Sequence, residues 1–238
     1  MIDKTLKTCA EAVATVFDGA TVMLGGFGDP GLPGQLIEAL REQGAKDLWI
    51  IHNGGGQGDY ALGGLMGDGR VRKLTCSFPA HPGNQGFAAR YMRGEIELEL
   101  VPQGTLCERI RAAGAGLGGF FTPTGAGTEL AEGKETRMIN GREHVFEKPL
   151  PADFAFIRAY QGDRVGNLTY RMAMLNFNVP MATAAKFVVA EVDELLPAGK
   201  ISPQGVHTPG IFVDHVVHCA RHPVLASVEN LQNPRRKP

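Results

Sequence analysis

The 238-residue sequence contains no long apolar run, and its amino terminus lacks the features of a secretion signal. A helix that crosses a bilayer needs about 20 consecutive apolar residues, so we do not expect a membrane protein. The formal net charge of -1 is spread along the chain without long runs of one sign. This distribution argues against nucleic acid or an anionic membrane as a partner. We therefore expect a cytoplasmic protein that acts on small molecules.

Cysteine is also scarce. The four cysteines show no paired spacing, and they are Cys9, Cys76, Cys107 and Cys219. This pattern predicts reduced, mostly buried thiols and no disulfide bonds.

A group of zinc-ligand residue types occurs near the carboxyl terminus, at His215, His218, Cys219 and His222. On a strand, His215 and His218 would point to opposite faces, and no second group is present to complete a ligand set. We therefore predict no metal site.

The arrangement of apolar segments indicates an α/β fold. In the first half, short apolar runs alternate with amphipathic segments, as in βα units on a mostly parallel sheet. The predicted strands are Thr21–Leu24, Leu48–Ile51, Val71–Cys76 and Ile96–Val101, and the predicted helices are Pro33–Gln43, Asn84–Arg93 and Gly104–Ala113. We expect one domain over residues 1–220 and a flexible tail over residues 221–238.

The second half adds a hairpin and further strands. Asn140-Gly141 lies at the centre of Thr136–Phe146 and is a strong signal for a two-residue hairpin turn. More strands are predicted at Phe154–Ala159, Phe187–Val192 and Ile211–Val217, with partial helix over Met172–Lys186. The expected fold is therefore an open, mostly parallel sheet with flanking helices and an added β-hairpin.

The 32 glycines are concentrated after the apolar runs, and the segment Gly25–Gly31 carries the most information. Glycine allows a backbone to approach a ligand closely, and Pro33 suits the first turn of a helix whose N–H groups would face this loop. Such a loop favours an anionic or thioester ligand. Gly25 and Gly34 are also candidates for packing residues.

The same segment satisfies the dinucleotide-binding pattern G-x-G-x-x-G, which leaves an NAD-dependent oxidoreductase as an alternative. That fold also places an acidic residue at the end of the second strand. Here Leu48–Ile51 is followed by His52-Asn53, and Pro30 lies inside the motif. The pattern is therefore a weaker explanation of the loop.

The segment Asp18–Pro33 resembles the A-side signature of the family I CoA-transferases at every defined position. The likeness extends along the chain in Val101–Leu106, Glu108–Arg111, Phe121–Gly125, Gly166–Tyr170 and Thr208–Gly210. Within this family, Cys76–Pro79 and Thr208–Val213 are most similar to the A subunits of 3-oxoadipate CoA-transferases.

The resemblance implies a two-chain enzyme, a heterodimer or an A2B2 heterotetramer, whose active site lies between this chain and a B subunit. In this family a glutamate of the B half attacks the acyl-CoA thioester, and the reaction proceeds through covalent ping-pong intermediates. No segment here resembles the setting of that glutamate. The resemblance thus implies no catalytic nucleophile on this chain, no permanently bound cofactor, and coenzyme A thioester as a substrate.

The resemblance assigns coenzyme A to the loop formed by Gly25, Gly26, Phe27, Gly28, Asp29, Pro30 and Gly31. Gln103, which follows a strand end at Pro102, is the side chain we expect to donate to an oxyanion or to an acyl carboxylate. Asn53 is expected to face the acyl group. The chain departs from the family by continuing with Gly54-Gly55-Gly56, where relatives often carry a second polar residue.

The expected reaction moves CoA from succinyl-CoA to 3-oxoadipate, with acetoacetate as the alternative acceptor. Only 3-oxoadipate carries a distal carboxylate, for which His81 and Asn84 are candidate partners. A non-catalytic acyl-binding module is the remaining alternative.

Overall fold

The computed structural model describes residues 2–79 and 85–219. The predicted tail over 221–238, the candidates His81 and Asn84, and His222 of the possible metal group lie outside the described residues. Within the described ranges, no helix is long and apolar enough to span a membrane.

Twelve strands are present in the described ranges. In chain order they are β1 Thr5–Leu6, β2 Thr21–Leu24, β3 Leu48–Ile51, β4 Val71–Cys76, β5 Glu97–Leu100, β6 Phe120–Thr122, β7 Thr136–Ile139, β8 Arg142–Glu147, β9 Ala152–Asp163, β10 Leu168–Thr169, β11 Ala185–Leu196 and β12 His215–His218. Nine of them form one sheet in the order β1-β12-β11-β9-β2-β3-β4-β5, with β10 paired to β9. Every pair in this sheet is parallel except β9 with β10. The mostly parallel sheet predicted from the sequence is confirmed.

Helices cover both faces of the sheet. They are α1 Cys9–Val13, α2 Gly34–Gln43, α3 Ala61–Gly67, α4 Gln85–Met92, α5 Gln103–Gly114 and α6 Asn178–Met181. One apolar core lies under α1 to α4, and the other lies under α5 and α6. Each helix packs on the sheet through an apolar face; in helix α2, Leu36, Ile37 and Leu40 lie on one face and are fully buried. It ends at Gly44, whose φ of 96° suits the left-handed end of a helix.

The strand order reverses at β2, which pairs with β3 on one side and with β9 on the other. In an open α/β sheet, ligands bind outside the carboxyl ends of the strands at such a reversal. The glycine loop begins at Gly25, directly after β2. The topology therefore places this loop where a ligand crevice is expected.

The predicted hairpin is confirmed. Strands β7 and β8 pair in antiparallel fashion across Asn140 and Gly141, whose φ angles of 49° and 75° are those of a tight hairpin turn. Strand β6 adds to the other edge of β8, so the hairpin belongs to a separate three-stranded sheet.

All four cysteines are free thiols in the structure; Cys76 and Cys219 are buried, and Cys9 and Cys107 are partly buried. Cys9 and Cys219 are 210 residues apart in the sequence, yet their sulfur atoms lie 3.1 Å from each other. Sequence spacing could not reveal this contact, because it depends on β12 returning beside the amino-terminal strand β1.

Candidate active site

A cavity of about 770 Å³ opens at the carboxyl ends of β2, β3, β4 and β5. Its wall is formed by the segments that follow these four strands, including the first residues of α3 and α5. It is lined by Phe27, Gly28, Asp29, Leu32, His52, Asn53, Gly54, Gly55, Gly56, Gln57, Gly58, Asp59, Tyr60, Leu62, Gly63, Ser77, Phe78 and Gln103. Its size is in the range of small-molecule sites. Five of the residues predicted for the site, namely Phe27, Gly28, Asp29, Asn53 and Gln103, lie on this wall.

A hydrogen-bonded polar cluster joins three of the strand ends. The Asn53 Oδ1 atom accepts hydrogen bonds from Gln103 Nε2 at 2.8 Å and from Ser77 Oγ at 2.9 Å. Gln103 is the first residue of α5, and Asn53 follows β3 by two positions, so the two side chains are 50 residues apart in the chain. The cluster gives the cavity amide and hydroxyl groups that can orient a carbonyl or a carboxylate.

His52 lies directly beside this cluster and is almost fully buried. Its Nδ1 atom lies 2.9 Å from the Gly54 nitrogen and 3.0 Å from the Gly54 carbonyl oxygen, and the tautomer of the ring decides whether Nδ1 accepts from the first or donates to the second. Burial lowers the pKa of His52 to about 4, although its backbone contact with Gly54 opposes the shift. His52 is therefore a neutral residue near pH 7. Its Nε2 atom has no hydrogen-bond partner among the described residues.

Two asparagines at and just before the start of α6 hold the glycine loop in place. Asn178 Nδ2 donates to the Gly31 carbonyl at 3.1 Å, and Asn176 Nδ2 donates to the Pro30 carbonyl at 2.9 Å. A Cβ atom on Gly25 would lie 1.8 Å from Asn178 Oδ1, and one on Gly31 would lie 2.4 Å from Asn178 Nδ2. Gly25 and Gly31 thus allow the loop to pack closely on Asn178.

Gly34, at the start of α2, is a packing residue in the same sense. A Cβ atom there would lie 2.4 Å from the Tyr60 hydroxyl oxygen. This agrees with the packing role considered for Gly25 and Gly34 from the sequence.

Gly26 has a different requirement. Its φ is 112°, and a Cβ atom there would approach the Leu32 nitrogen to 3.0 Å. Glycine is therefore required at this position by the backbone conformation of the turn, which carries the chain from β2 to Phe27 at the cavity wall. Gly25, Gly26, Pro30 and Gly31 complete the loop but are absent from the described cavity lining.

The first turn of α2 does not present its amides to a ligand, contrary to the sequence-based expectation. The N–H groups of Gln35 and Leu36 donate to Glu191 Oε2 at 3.0 and 3.2 Å. Glu191 comes from β11 and is fully buried. A carboxylate of the chain itself therefore occupies the position that we predicted for an external anion, because favourable N–H donors attract an internal anion equally well.

A buried charge network surrounds this carboxylate. Arg158 of β9 lies 3.2 Å from Glu191 and 2.5 Å from Asp193. Burial raises the pKa of the Glu191 carboxyl to about 7, whereas Arg158 and the two helix amides oppose that rise. The network joins β9, β11 and α2 beneath the glycine loop, so its contribution is structural.

The described residues of the possible metal group do not converge on one point. His215 packs against the Phe187 ring, with 5.4 Å between the ring centroids, and His218 contacts the Asp193 carbonyl at 3.1 Å. The described residues contain no group of three or more metal-ligating side chains.

Sequence reasoning missed His52, Ser77, Phe78 and the Gln57–Tyr60 part of the wall. Ser77 follows the end of β4 directly, at the same edge of the sheet as Asn53 and Gln103. Its position after a predicted parallel strand was the signal that could have identified it.

An α/β fold with a cavity of this size at the carboxyl ends of its strands, beside a glycine loop and a polar cluster, is typical of proteins that act on small molecules. The family model of the coenzyme A transferases matches residues 6–219. The chain therefore belongs to the coenzyme A transferase family, and the resemblance seen in the sequence is confirmed.

Two curated relatives have the same description. The chain is 54% identical to the A subunit of the 3-oxoadipate CoA-transferase of Pseudomonas putida, over 91% of this chain and 94% of the relative. It is 50% identical to the A subunit of the 3-oxoadipate CoA-transferase of Acinetobacter baylyi, over 95% of this chain and 100% of the relative.

A solved structure shares the fold. The acyl-CoA transferase YdiF of Escherichia coli O157:H7 superposes with a TM-score of 0.78 at 24% identity. The match covers 91% of this chain but 47% of YdiF, so the chain spans about half the length of that protein.

Proposed function

We propose that this chain is the A subunit of a cytoplasmic CoA-transferase that moves coenzyme A from succinyl-CoA to 3-oxoadipate. The observation that carries the proposal is the cavity itself, where the glycine loop meets the Asn53–Ser77–Gln103 cluster. The likeness of the chain to two relatives named for 3-oxoadipate supports the choice of acceptor.

The cavity suits the binding and polarising half of such a site. Phe27, Gly28 and Asp29 offer a loop against which the thioester end of coenzyme A can lie. Gln103 Nε2 and the N–H groups of Gly28 and Asp29 are the donors that we assign to a developing oxyanion or an acyl carboxylate. Asn53 orients Gln103 through the hydrogen bond to its own Oδ1.

The nucleophile is assigned to the partner, the B subunit. Among the described residues that line the cavity, the only carboxylates are Asp29 and Asp59, and none is a glutamate. We propose that a glutamate carboxylate from the partner attacks the thioester carbonyl and expels CoA as a thiolate. The thiolate then attacks the resulting acyl anhydride, which releases succinate and leaves an enzyme thioester for the acceptor carboxylate.

The acceptor distinguishes two versions of this function. 3-Oxoadipate has a second carboxylate, and burying it requires a cationic or multiply hydrogen-bonding partner. The described cavity lining contains no lysine or arginine, which is the feature that favours acetoacetate as the second candidate.

Steady-state assays of the co-expressed A and B subunits with succinyl-CoA decide between the two. We expect kcat/KM to be higher for 3-oxoadipate than for acetoacetate. Equal or reversed values would reject the dicarboxylic acceptor, and no transfer to either acceptor would reject the proposed reaction.

A further inference from the structure

Cys9 and Cys219 lie near opposite ends of the described residues but beside each other in the fold. Strands β1 and β12 are parallel neighbours, and Leu6 is paired with Val217. Both segments leave their strands in the same direction, so the register brings Thr8 level with Cys219 and places Cys9 next to it. The two sulfur atoms are 3.1 Å apart, close enough for small side-chain rotations to bring them into bonding distance.

The two thiols differ in their surroundings. Cys219 is buried in the apolar core, and its contact with Cys9, together with burial, raises the pKa of its thiol well above the usual range. Cys9, the first residue of α1, is only partly buried. Cys9 is therefore the member of the pair that an oxidant in solution reaches first.

We propose that Cys9 and Cys219 are a reversible site of disulfide formation, which a peroxide oxidises and a thiol reductant restores. The inference goes beyond the proposed function, because it concerns the chain's own thiols and not the strand-end cavity.

The oxidation proceeds in two balanced steps. The Cys9 sulfur attacks an oxygen of hydrogen peroxide, which forms a sulfenic acid on Cys9 and releases one water molecule. The Cys219 sulfur then attacks the Cys9 sulfur, so that the sulfur–sulfur bond forms and the sulfur–oxygen bond breaks. The departing hydroxide takes the proton of Cys219 and leaves as a second water molecule. The two thiols are oxidised by two electrons, and the peroxide is reduced by the same two.

The bond would fasten the amino-terminal segment to the rest of the sheet. Strand β1 has two residues and lies at the edge of the sheet, and in the described ranges β12 is its sole strand partner. An edge segment with so little pairing is among the parts of a fold that open most easily. The disulfide would close a loop of almost the whole chain, and a crosslink over a long loop restricts the unfolded state most. We therefore expect the oxidised chain to be the more stable form.

The other two cysteines provide an internal comparison. Cys107 is partly buried, like Cys9, but it lies in α5 on the opposite face of the sheet from α1. Cys76 ends β4 and is fully buried. Among the described residues, Cys9 and Cys219 are the two cysteines whose sulfur atoms are in contact. It is this contact, and not exposure alone, that distinguishes the pair.

The test treats the purified full-length chain with a small molar excess of hydrogen peroxide. The protein is then unfolded, its remaining thiols are alkylated, and its cysteine peptides are mapped by mass spectrometry. We expect one pair of peptides linked through Cys9 and Cys219, which dithiothreitol separates, and alkylated thiols at Cys76 and Cys107. The variant Cys107→Ser, matched to Cys9 in burial, should form the same link, whereas Cys9→Ser should form none.

Thermal unfolding measures the consequence of the bond. The oxidised chain should have a Tm about 10 °C above that of the reduced chain, because the crosslink closes so long a loop. Peroxide should leave the Tm of Cys9→Ser unchanged.

Three results would overturn the proposal. Cys9 and Cys219 could remain thiols after peroxide treatment, either of them could become linked to a different cysteine, or Cys9 could be converted to sulfinic acid without a link. A correct link that leaves Tm unchanged would reject the stabilising role of the disulfide.

Discussion

Asn53 accepts hydrogen bonds from two cavity side chains at once. Its Oδ1 atom accepts hydrogen bonds from Ser77 Oγ and from Gln103 Nε2. Gln103 is thereby held with its amide at the cavity wall, although it is exposed at the start of α5. We infer that removing the Gln103 amide would impair the reaction more than it would impair folding.

We predict that Gln103→Met lowers kcat/KM of the two-chain complex by about 100-fold, the size of effect seen when one oxyanion donor is lost. Gln85→Met is the matched control, because Gln85 is also an exposed first residue of a helix and is absent from the cavity lining. Steady-state kinetics with succinyl-CoA gives both values. Equal activity of the two variants would remove Gln103 from the site.

The sequence pointed to Gln103 because it follows a predicted strand end, and to Asn53 because it ends a predicted strand where related enzymes carry a polar side chain; both residues line the cavity. It did not identify Ser77, although the same argument applied to the end of β4. The Glu191 carboxylate was beyond sequence reasoning, because it reaches Leu36 of α2 from a strand 155 residues away. The glycines and Pro33 predict the start of a helix with free N–H donors, but they do not predict which anion those donors bind.

At the scale of elements, short strands were predicted best. The bounds of β2, β3 and β4 agree with the predicted ranges, whereas β9 and β11 extend well beyond theirs. The extensions include polar residues that pair across the two strands, such as Gln161 with Glu194 at 2.8 Å. Cross-strand partners of this kind stabilise strand segments that lack an apolar pattern.

Helix α3 was missed because three of its seven residues are glycines, which have low helix propensity. The structure explains two of them. A Cβ atom on Gly63 would lie 2.3 Å from the Gln57 and Gly58 carbonyl oxygens, and one on Gly64 would lie 2.3 Å from Arg41 Nη1. Glycine is needed in this helix despite its low helix propensity, because the loop that lines the cavity packs directly against the helix backbone.

The glycine loop gives a prediction for a single element. Gly28 and Gly19 both have positive φ, at +61° and +83°, and neither has an atom within 4 Å of an added Cβ. Alanine at either position should therefore cost a similar amount of stability, about 1 kcal/mol, and lower Tm by about 3 °C.

Of these two glycines only Gly28 lines the cavity, so only Gly28→Ala should raise KM for succinyl-CoA. Thermal unfolding and steady-state kinetics on both variants provide the comparison. If Gly19→Ala impairs the kinetics to the same degree, the glycines serve the fold alone, and contact between the loop and coenzyme A is rejected.

At the scale of the whole molecule, helices cover both faces of the sheet, and the strand order reverses at β2. The reversal of strand order at β2 places the glycine loop between two layers of helices, with α2 on one face and Asn178 of α6 on the other. The loops after β3, β4 and β5 complete one side of the cavity. We assign the other side to the partner chain.

The central claim is that this chain binds and polarises the thioester while its partner supplies the nucleophile. Mass spectrometry of the two-chain complex after mixing with succinyl-CoA, without an acceptor, tests this most directly. We expect a coenzyme A adduct on a glutamate of the partner chain, whereas this chain should keep its unmodified mass. An adduct on any carboxylate of this chain would contradict the account.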